Sequence, residues 1–162
     1  MSQPAHQGGG IIIASFLVAY VLTILPLPSW LQQGWPDWVA LVLVYWCIAI
    51  PQRVGVGVGW LVGLMQDAVQ SALLGQHALA YALLAYLSLK LHQLVRVFPL
   101  WQQALSVMVL LLLTRLVVLW TNSFVGRPLA AMDYWLGALV GALLWPLVFL
   151  IMRELRRSFQ VR

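Results

Sequence analysis

The sequence is poor in charged residues. Of its 162 residues only 8% are Asp, Glu, Lys or Arg, whereas 63% are hydrophobic. An ordinary soluble domain carries roughly 25% charged residues, so this chain has too few of them to cover a water-facing surface. Most of it must face lipid or other membrane helices. The composition therefore predicts an all-α polytopic integral membrane protein, with residues 1–162 forming a single membrane domain.

The residue types that build catalytic and metal sites are scarce as well. The single cysteine, Cys47, lies in an apolar run and has no partner for a disulfide within the chain. His6, His77 and His92 fall in separate segments without Cys or Glu nearby, so no metal site is expected. No second carboxylate lies near Asp67 for acid–base catalysis, and no phosphate-binding glycine loop is present. The sequence predicts neither an enzyme nor a cofactor.

Long apolar runs are what the sequence does contain. A helix that crosses the ~30 Å hydrocarbon layer needs about 20 mostly apolar residues. Six segments meet or approach that length, separated by proline- or glycine-containing turns. The predicted spans are residues 10–27, 36–50, 54–74, 78–94, 101–121 and 134–152. The second is short, and it is interpreted either as a tilted span, which we favour, or as half of a re-entrant hairpin with the third.

The basic residues predict the orientation. Nine Lys and Arg against four acids give a net charge of +5, and positive loops are retained in the cytoplasm. With six spans, one end carries seven cations and the other carries only Arg127, so both termini are predicted to be cytoplasmic, with 153–162 as a basic tail. Cations placed singly do not form a nucleic-acid-binding face. Those expected to contact a cytosolic protein or anionic lipid are Arg53, Lys90, Arg96, Arg153, Arg156 and Arg157.

The third span has a small or polar residue at every fourth position. Residues four apart lie on one helix face, and membrane helices pack closely where side chains are small. This face is expected to pack within the chain, to form a homodimer, or to bind a partner helix. The series consists of Gly55, Gly59, Gly63, Asp67, Ser71 and Gly75.

Two charged residues, Asp67 and Arg115, fall inside predicted spans. An ionised group at mid-membrane is costly and usually finds a partner. At about 1.5 Å per residue, both lie roughly 20 Å from the basic end of their spans. Three interpretations follow: the two charges pair and join the third and fifth spans, each docks separately to a partner helix, or they form a substrate or proton site.

Several segments, taken in order, resemble the rod shape-determining protein MreD family. The likeness covers nearly the whole chain, and it is specific because of the order and spacing of the segments. They are Trp38–Trp46, Pro51–Trp60, Gly63–Asp67, Leu74–Ala80, Trp101–Leu105 and Trp145–Arg153.

The resemblance implies a non-enzymatic inner-membrane protein of the bacterial elongation (Rod) complex. Members of this family associate with MreC, whose body is periplasmic, and with the MreB filament. They work beside the RodA glycosyltransferase and its penicillin-binding transpeptidase in lateral peptidoglycan synthesis. The implied fold is similar to the six-helix S component of energy-coupling-factor transporters.

The resemblance also marks the Pro51–Gly59 turn, Asp67 and the Leu74–Gly75 corner as family-like sites, whereas Arg115 is outside that pattern. An alternative interpretation is a transport subunit that binds a small ligand between its helices, with Asp67 and Arg115 lining the pocket.

Overall fold

The computed structural model describes residues 8–32, 34–70, 73–127 and 132–159. Within these ranges the chain is all-α, as predicted. A short 3-10 turn, Met132–Trp135, precedes the last helix. The helices are α1 (Gly9–Ile24), α2 (Ser29–Gln32), α3 (Trp38–Ala49), α4 (Val56–Val69), α5 (Gln76–Val97), α6 (Leu100–Phe124) and α7 (Leu136–Ser158).

Each of the six predicted spans overlaps one of the longer helices, but the helices differ in length. Three of them, α5, α6 and α7, are long and apolar enough to cross a membrane. The other three, α1, α3 and α4, are apolar helices of 16, 12 and 14 residues. At about 1.5 Å per residue α3 is only about 18 Å long. A crossing by these three therefore requires additional non-helical backbone or a locally thin bilayer.

The shortest of the six, α3, occupies the centre of the molecule. Leu41, Leu43 and Trp46 are 0% exposed, because α3 packs against α1, α5 and α7. The Trp46 indole N–H donates to the Ser15 hydroxyl at 2.8 Å, which satisfies its buried donor. A helix enclosed by protein on all sides does not have to match the thickness of the lipid, which accounts for its length. The neighbouring α4 packs mainly against α5.

Candidate functional site

The small-residue face of α4 lies against α5 of the same chain. A Cβ atom added at Gly59 would lie 2.7 Å from the Tyr81 carbonyl oxygen, and one added at Gly63 would overlap the backbone of His77. A Cβ added at Gly55 would meet only the Leu89 side chain, at 3.8 Å. Gly59 and Gly63 thus allow the two helix backbones to approach closely, and this part of the face is already covered within the chain.

The other members of the series are arranged differently. Ser71 lies outside the described residues. Gly75 is not on the α4 face, because α4 ends at Val69 and Gly75 lies in the turn that precedes α5. Its φ of +100° is a left-handed conformation that favours glycine, while nothing lies within 4 Å of an added Cβ. Gly75 is therefore required for the shape of the turn, whereas Gly63 is required for close packing.

Asp67 joins the end of α4 to the start of α5. Its carboxylate accepts hydrogen bonds from the backbone N–H groups of Gly75 and His77, both at 2.8 Å, and of Ala78 at 3.4 Å. The His77 Nδ1 atom also lies 2.8 Å from this carboxylate. The first N–H groups of a helix have no partner within the helix and attract negative charge. Asp67, which is 1% exposed, satisfies them.

Arg115 holds the segment before α7 against α6. Its guanidinium donates to the Tyr134 carbonyl oxygen and lies 5.0 Å from the centre of the Tyr134 ring. The Tyr134 hydroxyl donates back to the Arg115 carbonyl oxygen at 3.1 Å. The guanidinium also occupies the space that a side chain at position 137 would fill, so Gly137 is needed there.

The pairing of Asp67 with Arg115 is therefore wrong as an interpretation, because the structure gives each charge different partners. Hydropathy predicted a helix that continues to residue 74. Since α4 ends at Val69, Asp67 lies in its last turn, within reach of the first N–H groups of α5.

Arg115 shares a polar cavity of about 510 Å³ with Asp37, an acid that was not predicted to be a site residue. Asp37 caps α3 by accepting the Ala40 N–H at 3.2 Å, and it accepts the Tyr81 hydroxyl at 2.7 Å. An Asp directly before an apolar run is a helix-start pattern, so this signal was available. Two amide oxygens in the lining, Oε1 of Gln66 and Oε1 of Gln76, are buried without a hydrogen-bond partner in the described part of the chain.

A second, basic cavity of about 850 Å³ lies at the opposite end of the bundle, between α3, α5, α6 and α7. It brings together four of the six cations that were predicted to contact a cytoplasmic partner. They are Arg96, Arg153, Arg156 and Arg157.

The remaining two cations lie apart from the basic cavity. Lys90 sits over the Tyr86 ring, 5.5 Å from its centre, and Arg53 lines a groove between α1 and α4. The end of the predicted tail, residues 160–162, lies outside the described residues. Within the described ranges, no group of three or more His, Cys, Asp and Glu side chains is arranged to hold a metal ion.

Comparison with known proteins identifies the family. Residues 6–155 match the sequence model of the family described as rod shape-determining protein MreD. Over 150 residues the chain is 35% identical to the rod shape-determining protein MreD of Haemophilus influenzae (strain ATCC 51907 / DSM 11121 / KW20 / Rd). The aligned region covers 93% of each of the two chains. This chain belongs to the MreD family. It is a membrane protein of a family that determines rod shape, as the resemblance predicted.

The MreD match extends over nearly all of the structure described above. The matched range includes the α4–α5 contact, Asp37 and Arg115, whereas Arg156 and Arg157 follow its end at residue 155. No solved structure matches the chain, so the likeness to the S component stays a prediction. The comparisons give no support to the alternative of a transport subunit.

Proposed function

We propose that this MreD-family chain is a non-enzymatic scaffold of the elongation (Rod) complex in the bacterial inner membrane. The observation that carries the proposal is the match to the rod shape-determining family over residues 6–155. The architecture supports it, because the described chain consists almost entirely of apolar helices joined by short connections. A protein of this form has helix faces and short basic segments with which to contact partners.

In this proposal all six longer helices cross the membrane, and both termini are cytoplasmic. Arg96, at the end of α5, and Arg153, near the end of α7, line one cavity. Arg127, after α6, lines the opposite polar cavity together with Asp37. This separation supports a cytoplasmic basic end, because positively charged loops are retained there.

The scaffold would bind MreC through a helix face and the MreB filament through its basic end, beside RodA and its transpeptidase. Since Gly59 and Gly63 pack on α5, the membrane-spanning helix of MreC needs another surface. A groove of about 590 Å³ runs between α1 and α4. Its rims expose Leu17 on α1 and Leu61 on α4, at 54% and 58%. Packing into such a groove is what holds helices together in lipid.

Cysteine crosslinking tests both parts of this proposal. In a Cys47→Ala background, Leu17→Cys and Leu61→Cys are co-expressed with MreC that carries single cysteines along its span. Leu143→Cys is the matched control, because Leu143 is 80% exposed on α7 and lies outside the groove. We expect disulfide-linked heterodimers from the groove positions and only background from Leu143.

Two results would count against the proposal in different ways. If MreC co-purifies but links equally from Leu143, the groove is not the docking face. If MreC does not co-purify with the unmodified chain at all, the scaffold proposal itself is contradicted.

A further inference from the structure

The basic cavity concentrates positive charge in one concave surface. Four guanidinium groups from α5 and α7 line it, and no Asp or Glu of the described chain contributes to the lining. The acid nearest in sequence, Glu154, is exposed on α7 and does not contribute to the lining. Like charges brought together without a carboxylate repel one another, so the site is suited to an anion.

One of the four arginines, Arg96, is held in place by backbone oxygens of the same chain. The Arg96 guanidinium donates to the Ile48 and Ala49 carbonyl oxygens, at 2.8 and 2.9 Å. These carbonyls belong to the last turn of α3, where they lack partners within the helix. Arg156 lines the same cavity as Tyr45. A guanidinium has more N–H donors than the two contacts of Arg96 use, so Arg96 remains able to bind an anion from a fixed position.

The inner wall of the cavity is aromatic. Trp145 is fully buried, and the Phe149 ring lies 5.9 Å from the ring of Tyr45. Cations stand above this wall at the ends of α5 and α7, which are both long enough to cross a membrane. The ends of crossing helices lie at the level of the lipid headgroups. An amphiphilic anion fits this position better than a soluble one.

We propose that the basic cavity binds the headgroup of an anionic phospholipid that carries two phosphates, as cardiolipin does. Four guanidinium groups can engage two phosphates in bidentate pairs. Basic pockets between membrane helices on the cytoplasmic side bind headgroups of this kind. The volume of about 850 Å³ is within the range of sites that enclose small molecules.

A cytoplasmic orientation of the basic end does not by itself require four arginines to line one cavity. Retention of positive charge in the cytoplasm needs cations near the ends of spans, and Lys90, which lies outside the cavity, meets that need. Convergence of guanidinium groups from two helices onto one concavity is an additional feature. The proposal does not depend on MreC or MreB, and it can fail while the proposed scaffold function stands.

Native mass spectrometry of the purified full-length chain tests the site. Cardiolipin is titrated beside phosphatidylglycerol, with one phosphate, and beside zwitterionic phosphatidylethanolamine. Inorganic pyrophosphate serves as the soluble anion. We expect one cardiolipin per chain to survive gentle activation, with weaker retention of phosphatidylglycerol and no retention of the other two probes.

Charge-matched variants separate the cavity from general attraction to anionic lipid. Arg156→Gln is expected to weaken cardiolipin binding about fivefold, whereas Lys90→Gln, which removes the same charge outside the cavity, is expected to leave it unchanged. Arg153→Lys/Arg156→Lys preserves the charge that directs insertion and loses the bidentate geometry. It should bind more weakly than the unmodified chain even if the glutamine variant inserts poorly.

Several outcomes would overturn the proposal. Equal losses of cardiolipin binding in Arg156→Gln and Lys90→Gln would mean that cardiolipin responds only to the net charge of the protein and not to the cavity. Retention of phosphatidylethanolamine as strong as that of cardiolipin would mean that headgroup charge is not recognised. Binding of pyrophosphate as tight as that of cardiolipin would make the ligand a soluble anion.

Discussion

The two ends of this bundle use their charged residues differently. At the polar-cavity end, Asp67, Asp37 and Arg115 bind backbone groups and hydroxyls of the same chain. At the other end, four arginines line an open cavity to which none of the described acids contributes. Buried charges that are bonded within the chain hold its helices together, because an unpaired charge there would be costly. Cations that keep free donors at a membrane surface are available to other molecules.

Loss of the Asp67 carboxylate should have the largest effect on stability. In Asp67→Asn the side chain no longer offers two charged oxygens to the N–H groups of Gly75 and His77. Hydrogen bonds to charged groups contribute about 1.5–3 kcal/mol each, so we expect a loss of about 3 kcal/mol in the free energy of unfolding. Reversible unfolding in mixed micelles measures it, with exposed Glu154→Gln as the control. If Asp67→Asn and Glu154→Gln lowered the free energy of unfolding equally, the charges at the polar-cavity end would not hold the helices together more than an exposed charge does.

Close packing of α4 on α5 should have the next largest effect. Gly63→Ala forces a Cβ atom into the backbone of α5, whereas Gly57→Ala, on the same helix, meets nothing within 4 Å. Overpacking costs about 1–3 kcal/mol, and alanine in an open helical position is neutral or slightly stabilising. The same unfolding measurement should therefore separate the two variants by at least about 1 kcal/mol. Similar free energies of unfolding for Gly63→Ala and Gly57→Ala would mean that α4 and α5 can move apart at Gly63 without cost.

Much of the fold was predictable from hydropathy. Each predicted span overlaps one of the longer helices, because a run of apolar residues in lipid has to satisfy its own backbone hydrogen bonds. The four-residue spacing of Gly55, Gly59 and Gly63 predicted a close-packed face. It did not identify the partner, because spacing along one helix carries no information about which helix lies opposite.

The polar contacts were predicted less well, and the reason is the length of α4. Hydropathy extends the third span to residue 74, whereas α4 ends at Val69. The chain then turns at Gly75, so Asp67 meets the first turn of α5 instead of Arg115. Asp37 was not selected as a site residue, although it precedes α3 as a capping residue does. The basic cavity depends on arginines of α5 and α7 converging on the end of α3, which only the packed structure reveals.

Substitution at the basic end should have the smallest effect on stability, since exposed positions usually change it by no more than about 0.5 kcal/mol. Its effect on function should nevertheless be large. The most direct test replaces a cell's own MreD-family protein with Arg153→Gln/Arg156→Gln and measures the ratio of cell length to width at matched membrane abundance. We predict rounded cells. Normal rods at matched abundance would contradict the view that this end serves binding.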